Sequence, residues 1–235
     1  MVSINLFFVA ERDRSTKGLL LWDCSSTPPA SHRGTFCLGT LRLPTLRVFF
    51  AMFKKFNSED NVSSISAVKS SQARAIRKKV EDAYPFLQDK MDQIFPTKGS
   101  LTTAKCTDHV SIVLSEGRPV FFNHRDGPFY PTMRLLHKYP TMMPKVQVDM
   151  GAIPFVLNGS QIMCAGFTSE GGFLPESLEE GSGVAVFAEN KTLPLAIGLM
   201  KMSADQIREV NKGIGVEPIH FLDDALWQYG QLDCE

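Results

Sequence analysis

The sequence predicts an α+β protein in which a small N-terminal α/β domain precedes a barrel-like domain of short strands. Three observations lead to this prediction. Apolar residues recur with helical spacing after residue 68, short segments rich in β-branched and aromatic residues follow, and a series of glycine-bounded strands comes after Pro144. At 235 residues, the chain is long enough for one large or two small domains.

Bulk composition excludes several classes of protein. Hydrophobic residues make up 43% and charged residues 21%, as is ordinary for a globular protein. The 25 basic residues balance 25 acidic ones, so only a local patch could attract nucleic acid or a membrane. The five cysteines lack zinc-site spacing, which favours reduced thiols in the cytosol. No apolar run reaches the roughly 18 residues that a membrane-spanning helix needs.

Residues 1–51 differ from the rest of the chain. They carry six Lys and Arg against three Asp and Glu, and the turn-rich stretch Ser26–Thr35 shows no periodicity. Because Glu11 and Asp13 follow the first apolar segment directly, composition favours a leader upstream of a second start at Met52 over a transit peptide. We expect residues 1–51 to form a disordered leader.

The first domain is predicted to start with two helical segments. Apolar side chains recur every three to five residues over 68–83, with the basic residues on the opposite face, which is typical of an amphipathic helix. Pro85 ends this helix, and a second helical segment over 85–95 stops at Pro96.

A meander and a third helix complete the first domain. Three short segments have strand composition and are separated by turn residues. These are Leu101–Cys106, His109–Ser115 and Pro119–Arg125. A helix bracketed by prolines is then predicted from about Tyr130 to Lys138.

The second domain is predicted to consist of short strands with one or two helices, as in a small barrel. The predicted strands are 146–150, 161–167, 183–190, 193–202 and 216–222. A short helix or turn occupies 151–159. A longer helix begins at the capping box of Ser203 and Gln206 and stops at Gly213.

Several segments resemble a known family. VQVDMGAIPFVLNGSQIMCAGF, EEGSGVAVF, LAIGLMKMSADQI and IHFLDDALW follow one another in the order and spacing of a PUA domain, the pseudobarrel found on RNA-modifying enzymes and translation factors. Together with MFKKF and FFNHRDGPFYPTMRLLHKYP, they resemble the malignant T-cell-amplified sequence family of translation factors over most of the chain. The resemblance implies an α/β domain over 52–142 and a PUA domain over 143–230.

This resemblance implies a non-enzymatic, cytoplasmic translation factor. It would bind the 40S ribosomal subunit and P-site tRNA as a heterodimer with density-regulated protein. It would promote reinitiation and, after termination, tRNA removal and 40S recycling. No cofactor, metal or membrane is implied. The alternatives are a PUA-containing RNA-modification protein and a protein-interaction adaptor that does not bind RNA.

A group of basic residues is a candidate for RNA contact. Arg134 and Lys138 are four residues apart on the third predicted helix, so they share a face, and Arg125 lies upstream. Cations beside the aromatic Tyr130 and Tyr139 suit phosphate contact with base stacking. A solvated amphipathic helix is an equally good interpretation of these residues.

The glycines after Asp149 fit neither GxGxxG nor a P-loop. We interpret them as positions where the backbone turns or is approached closely, here by the terminal nucleotide of a tRNA. Pro154 stands where the family often has lysine, which removes a possible phosphate contact. By analogy with PUA domains, we expect RNA contacts from Gly151, Ala152, Gly166, Phe167, Lys201 and Ser203.

Features that would indicate an enzyme have simpler interpretations. The scattered histidines His109, His124, His137 and His220 are expected to be surface or core residues rather than metal ligands. Asp223 and Asp224 resemble a carboxylate pair, but a helix N-cap is favoured. Cys164, in a predicted apolar strand, is expected to be a small buried residue.

Overall fold

The computed structural model describes residues 52–96 and 99–229. The predicted leader, residues 1–51, lies outside the described residues. Its expected disorder stays a prediction.

The first part of the chain forms a five-stranded antiparallel sheet with helices against it. Its strands pair in sequence order, β1-β2-β3-β4-β5. The strands are β1 (Val62–Ala67), β2 (Leu101–Cys106), β3 (Val110–Ser115), β4 (Arg118–His124) and β5 (Tyr130–Pro131). The helices are α1 (Ser58–Asn61), α2 (Ser70–Ala83), α3 (Met91–Ile94) and α4 (Met133–Lys138), with 3-10 turns at Pro85–Lys90 and Thr107–His109.

The second part forms another five-stranded sheet, in which strand order departs from chain order. The order is β6-β8-β9-β10-β7, and only the β6–β8 pair is parallel. The strands are β6 (Lys145–Val148), β7 (Ile162–Met163), β8 (Gly183–Ala188), β9 (Ala196–Met200) and β10 (Ile214–Phe221). The helices are α5 (Ile153–Leu157), α6 (Ala165–Thr168), α7 (Ala204–Val210) and α8 (Ala225–Gln228), and a 3-10 turn precedes α5 at Met150–Ala152. The predicted α+β class is confirmed.

The second sheet is buried on both faces. Along β8, Val184 and Val186 pack into one apolar cluster, whereas Ala185 and Phe187 pack into the other. Because successive side chains point to opposite faces of a strand, this double burial explains why β8 is apolar throughout rather than alternating.

Phe53 connects the two sheets. Its side chain is 1% exposed, and its ring packs edge-on against Phe122 of β4 at 5.1 Å and His220 of β10 at 5.5 Å between centroids. Its carbonyl oxygen accepts the N–H of Ala225 at 3.1 Å. The neighbouring Lys54 ammonium donates to the carbonyl oxygen of Asn158, at the end of α5, at 2.7 Å. The first described residues are therefore part of the folded core.

The structure corrects three predicted helices. The helix placed at about Tyr130 begins at Met133, because Thr132 is extended and its hydroxyl accepts the N–H of Leu135. The helix after Ser203 ends at Val210, because Asn211, not Gly213, adopts the left-handed conformation at its C-terminus. The segment after Pro85 is a 3-10 turn followed by α3.

The structure also corrects two strands. The segment 161–167, predicted to be one strand, pairs only through Ile162 and Met163 and then turns into α6 at Cys164, whose backbone is helical. Phe167 is thereby carried into the second apolar cluster. Strand β1 was not predicted, because its sequence VSSISA has an exposed, mostly polar pattern.

The predicted capping box at α7 is confirmed. The Ser203 hydroxyl accepts the N–H of Gln206, and the Gln206 side chain accepts the N–H of Ser203 at 3.0 Å. Replacing Ser203 with alanine is therefore expected to lower the free energy of unfolding by about 1 kcal/mol. Urea denaturation measures this, with Ser177→Ala, at an exposed loop serine, as the control. Equal stability of the two variants would show that the box contributes nothing.

Candidate nucleic-acid interface

A cavity of about 480 Å³ lies beside α5, α6 and β7. Its walls come from one continuous stretch of chain that starts at the end of β6, so no distant loop is needed to close it. The lining residues are Asp149, Gly151, Ala152, Phe155, Val156, Ser160, Gln161, Ile162, Met163 and Gly166.

Apolar side chains at the cavity are unusually exposed. Phe155 is 65% exposed and Met163 is 53% exposed, whereas Val156 and Ile162 of the same wall are buried. Met150, next to the cavity in the chain, is 55% exposed. Exposed apolar groups around a concave surface mark a place where a ligand completes the burial.

Local backbone geometry shapes this wall. Pro154 occupies the first turn of α5, where its missing N–H costs no hydrogen bond. The helix ends at Leu157, and Gly159, two residues later, has a positive φ of 68°, a conformation that glycine adopts without strain, where the chain turns toward β7. The N–H of Ser160 then bonds the carbonyl oxygen of Phe155 at 2.9 Å, which fixes Phe155 at the cavity mouth.

Gly151 and Gly166 serve a different purpose from Gly159. Neither has a left-handed backbone, so neither is needed for a turn. A Cβ on Gly151 would lie 3.0 Å from one Asp149 carboxylate oxygen, and a Cβ on Gly166 would lie 3.7 Å from the other. Both glycines therefore leave bare backbone on either side of the Asp149 carboxylate.

The chemistry of the lining favours a nucleoside over a phosphate. Among the described residues, the cavity wall contains a carboxylate, an amide and a hydroxyl, but no cation. An ionised carboxylate accepts hydrogen bonds from a ribose diol or a base amino group and repels phosphate. An exposed phenylalanine ring offers a stacking surface to a base.

The structure brings together some of the sequence-predicted residues of this domain. Gly151, Ala152 and Gly166 line the cavity. Phe167 does not line the cavity: it is 3% exposed and packs in the second apolar cluster, its ring 3.1 Å from where a Cβ on Gly215 would lie.

Lys201 and Ser203 do not line the cavity. The Lys201 ammonium pairs with the buried carboxylate of Glu217 at 3.1 Å. Ser203 is engaged in the capping box of α7.

The predicted basic residues of the first domain are also outside the cavity. The Arg134 guanidinium lies 4.7 Å from the centroid of the Trp227 ring and donates to the Trp227 carbonyl oxygen at 2.7 Å. Lys138 is exposed, with its ammonium 5.3 Å from the centroid of the Tyr139 ring. Arg125 is exposed in a tight turn after β4, with φ of 47°.

Sequence reasoning missed Asp149, Phe155 and Met163. An apolar residue in an apolar run is normally buried, so no local signal marks Phe155 or Met163 as exposed. The available signal for Asp149 was its place directly after a strand and two residues before the first glycine, where a carboxylate has no packing role.

Two features that could indicate an enzyme, a metal site and a carboxylate pair, can be examined within the described part of the chain. No group of three or more His, Cys, Asp or Glu residues is arranged to hold a metal ion there. Asp224 caps α8 by accepting the N–H of Trp227 at 3.0 Å, and its other oxygen lies 2.6 Å from the buried His220 ring. The N-cap interpretation of Asp224 is thus confirmed.

Both free cysteines in the described residues are buried. Burial raises the pKa of the Cys106 thiol to about 11 and raises the pKa of Cys164 above its ordinary value. Each thiol is therefore protonated at neutral pH, which is unfavourable for a nucleophile. Over residues 52–96 and 99–229, no helix has the length and apolarity to cross a membrane.

Comparison with protein families divides most of the chain into two matches. The Pre-PUA-like domain matches residues 56–140, and the PUA domain matches residues 144–222. The whole cavity lies within the second match.

Similar full-length proteins exist in distant eukaryotes. The chain is 47% identical over 176 residues to malignant T-cell-amplified sequence 1 of Danio rerio, covering 75% of this chain and 97% of that protein. It is 48% identical over 178 residues to the Drosophila melanogaster homolog, with the same coverage. It is 45% identical over 177 residues to translation machinery-associated protein 20 of Schizosaccharomyces pombe, covering 75% and 98%.

Solved structures from archaea share the fold. A hypothetical protein from Pyrococcus horikoshii aligns with a TM-score of 0.58 at 24% identity, covering 71% of this chain and 99% of that chain. A conserved PUA domain protein from Thermoplasma acidophilum aligns with a TM-score of 0.53 at 25% identity, with the same coverage.

Proposed function

Because this chain belongs to the malignant T-cell-amplified sequence family, we propose that it is a translation-associated RNA-binding protein whose PUA domain holds the 3′-terminal nucleoside of a tRNA. One observation carries the proposal: the cavity combines an exposed Phe155 ring, the Asp149 carboxylate and bare backbone at Gly151 and Gly166. The protein acts by binding, without catalysis.

The arrangement supports recognition of an end rather than of a continuous strand. A terminal ribose has a free 2′,3′-diol, which can donate two hydrogen bonds to a carboxylate such as that of Asp149. A phosphodiester at the same place would bring its charge against that carboxylate. The terminal base then stacks on Phe155, and the glycines let the ribose approach the backbone.

The cellular setting of this binding is part of the proposal. We place the protein in the cytoplasm, on the 40S subunit beside P-site tRNA, as a heterodimer with density-regulated protein. There it promotes reinitiation, tRNA removal and 40S recycling. A place in translation is supported by one relative, named translation machinery-associated protein 20, and by a match that covers 98% of its length.

The proposal is tested by changing only the end of the RNA. Intact tRNA is compared with tRNA that lacks its 3′-terminal nucleotides and with tRNA whose terminal diol has been opened by periodate. We expect about tenfold weaker binding for both altered RNAs, since each loses contacts worth one or more kcal/mol. Equal affinities for all three would refute end recognition. Failure to bind any of them would favour a protein-interaction adaptor.

A further inference from the structure

A second cluster of aromatic and cationic side chains lies on the first part of the chain. Phe86, in the 3-10 turn Pro85–Lys90, is 50% exposed. The Lys90 ammonium lies over two rings, 5.7 Å from the centroid of Phe86 and 5.4 Å from that of Tyr139. The Lys138 ammonium lies 5.3 Å from the centroid of Tyr139. We call Phe86, Lys90, Lys138 and Tyr139 the aromatic–lysine patch.

Tyr139 fixes this patch to the fold. Its side chain is 7% exposed, and its hydroxyl lies 3.0 Å from Gln93 Oε1, to which it donates. Its N–H bonds the carbonyl oxygen of Leu135 at the end of α4. Because cations resting on an aromatic ring are held in place without a carboxylate, both ammonium groups are oriented before any ligand arrives.

The charge of the two lysines is not neutralised within the described residues. Neither Lys90 nor Lys138 forms an ion pair there. The carboxylate of Asp92 is held by the Arg77 guanidinium at 2.9 Å, and Asp89 pairs with neither lysine. The patch therefore presents two oriented, uncompensated cations beside an exposed ring.

We propose that the aromatic–lysine patch binds a single-stranded stretch of RNA away from its ends. Lys90 and Lys138 contact successive phosphates, and a base stacks on the exposed ring of Phe86. Phosphates supply the anions that the lysines lack, and a flat base buries an apolar ring that remains half exposed. An acidic peptide would satisfy the lysines but offers no comparable partner for the ring. This surface goes beyond the proposed end-binding cavity and does not depend on it.

A circular single-stranded RNA of about 20 nucleotides tests the patch, because it has no terminus for the cavity to hold. Its length is sufficient, since a typical single-strand binding site covers about 4–16 nucleotides. The full-length protein is titrated with this RNA at several salt concentrations. We expect Lys90→Gln combined with Lys138→Gln to weaken binding. The slope of log affinity against log salt concentration should fall by about 1.4, because each of the two lost single-strand phosphate contacts contributes about 0.7. We expect Phe86→Ala to weaken binding about fivefold or more with the slope unchanged.

Lys78→Gln combined with Lys79→Gln is the matched control, since these α2 lysines are exposed and form no ion pair among the described residues. An equal change of the salt slope in this control would show that any pair of exposed lysines contributes equally to RNA binding, and it would overturn the proposal. The proposal would also be overturned if the wild-type protein did not bind the circular RNA. It would likewise be overturned if the protein bound poly-glutamate instead and the patch variants lost that binding. Melting temperatures confirm that each variant is folded.

Discussion

Replacing Phe155 with alanine is expected to weaken the binding of intact tRNA about tenfold, because base stacking on an aromatic side chain contributes about 1–3 kcal/mol. The ring is 65% exposed at the cavity mouth, so its removal leaves no core cavity and the melting temperature should change little. Fluorescence anisotropy with end-labelled tRNA measures the affinity, with the label placed on the 5′ end.

Two comparisons make this result specific. Phe173→Ala removes a ring that is 50% exposed in the same domain but does not line the cavity, and it should leave affinity unchanged. Gly166→Val should cause a similar loss of tRNA affinity, because the added side chain occupies the cavity. A Cβ at Gly166 meets its nearest neighbour at an ordinary 3.7 Å, so we expect this variant to remain folded. If Phe155→Ala binds intact and trimmed tRNA as the wild type does, the base is not held there.

Replacing Phe53 with alanine is expected to lower the free energy of unfolding by about 3–5 kcal/mol. Its ring is almost fully buried and packs against Phe122 of the first sheet and His220 of the second. Removing it opens a void that neither sheet can fill alone, since its packing partners belong to both. Urea denaturation, followed by circular dichroism, measures the loss.

Phe56→Ala is the graded control for this variant. Phe56 packs edge-on against Phe53 at 5.5 Å but is only partly buried, so a smaller loss is expected. A loss for Phe53→Ala no greater than that for Phe56→Ala would mean that the segment before α1 packs only peripherally.

Local pattern was sufficient to predict the elements that form from their own residues. Strands β3 and β4 combine β-branched and aromatic residues between clear turns, and both appear where predicted. Strand β1 is different: its polar sequence becomes a strand because β2 pairs with it over Val62–Ala67, which no local pattern reveals. The turn at Cys164 likewise depends on burying Phe167 in the second apolar cluster.

The candidate site was predictable only in part. Glycine spacing pointed to Gly151 and Gly166, because a missing side chain is visible in sequence. The exposure of Phe155 is a tertiary property, since it depends on what fails to pack over the ring. The ion pair of Lys201 was equally hidden, because its partner Glu217 lies on β10, which neighbours β9 in the sheet but does not follow it directly in the chain.

The pairing of β7 with β10 determines when the cavity can exist during synthesis. Ile162 and Met163, two of its lining residues, pair with Val216 and Ile214 of β10, and the N–H of Cys164 bonds the carbonyl oxygen of Gly213. On a translating ribosome, this wall stays without its partner until β10 has left the exit tunnel. A nascent or prematurely terminated chain that lacks β10 is therefore expected to lack the completed cavity wall.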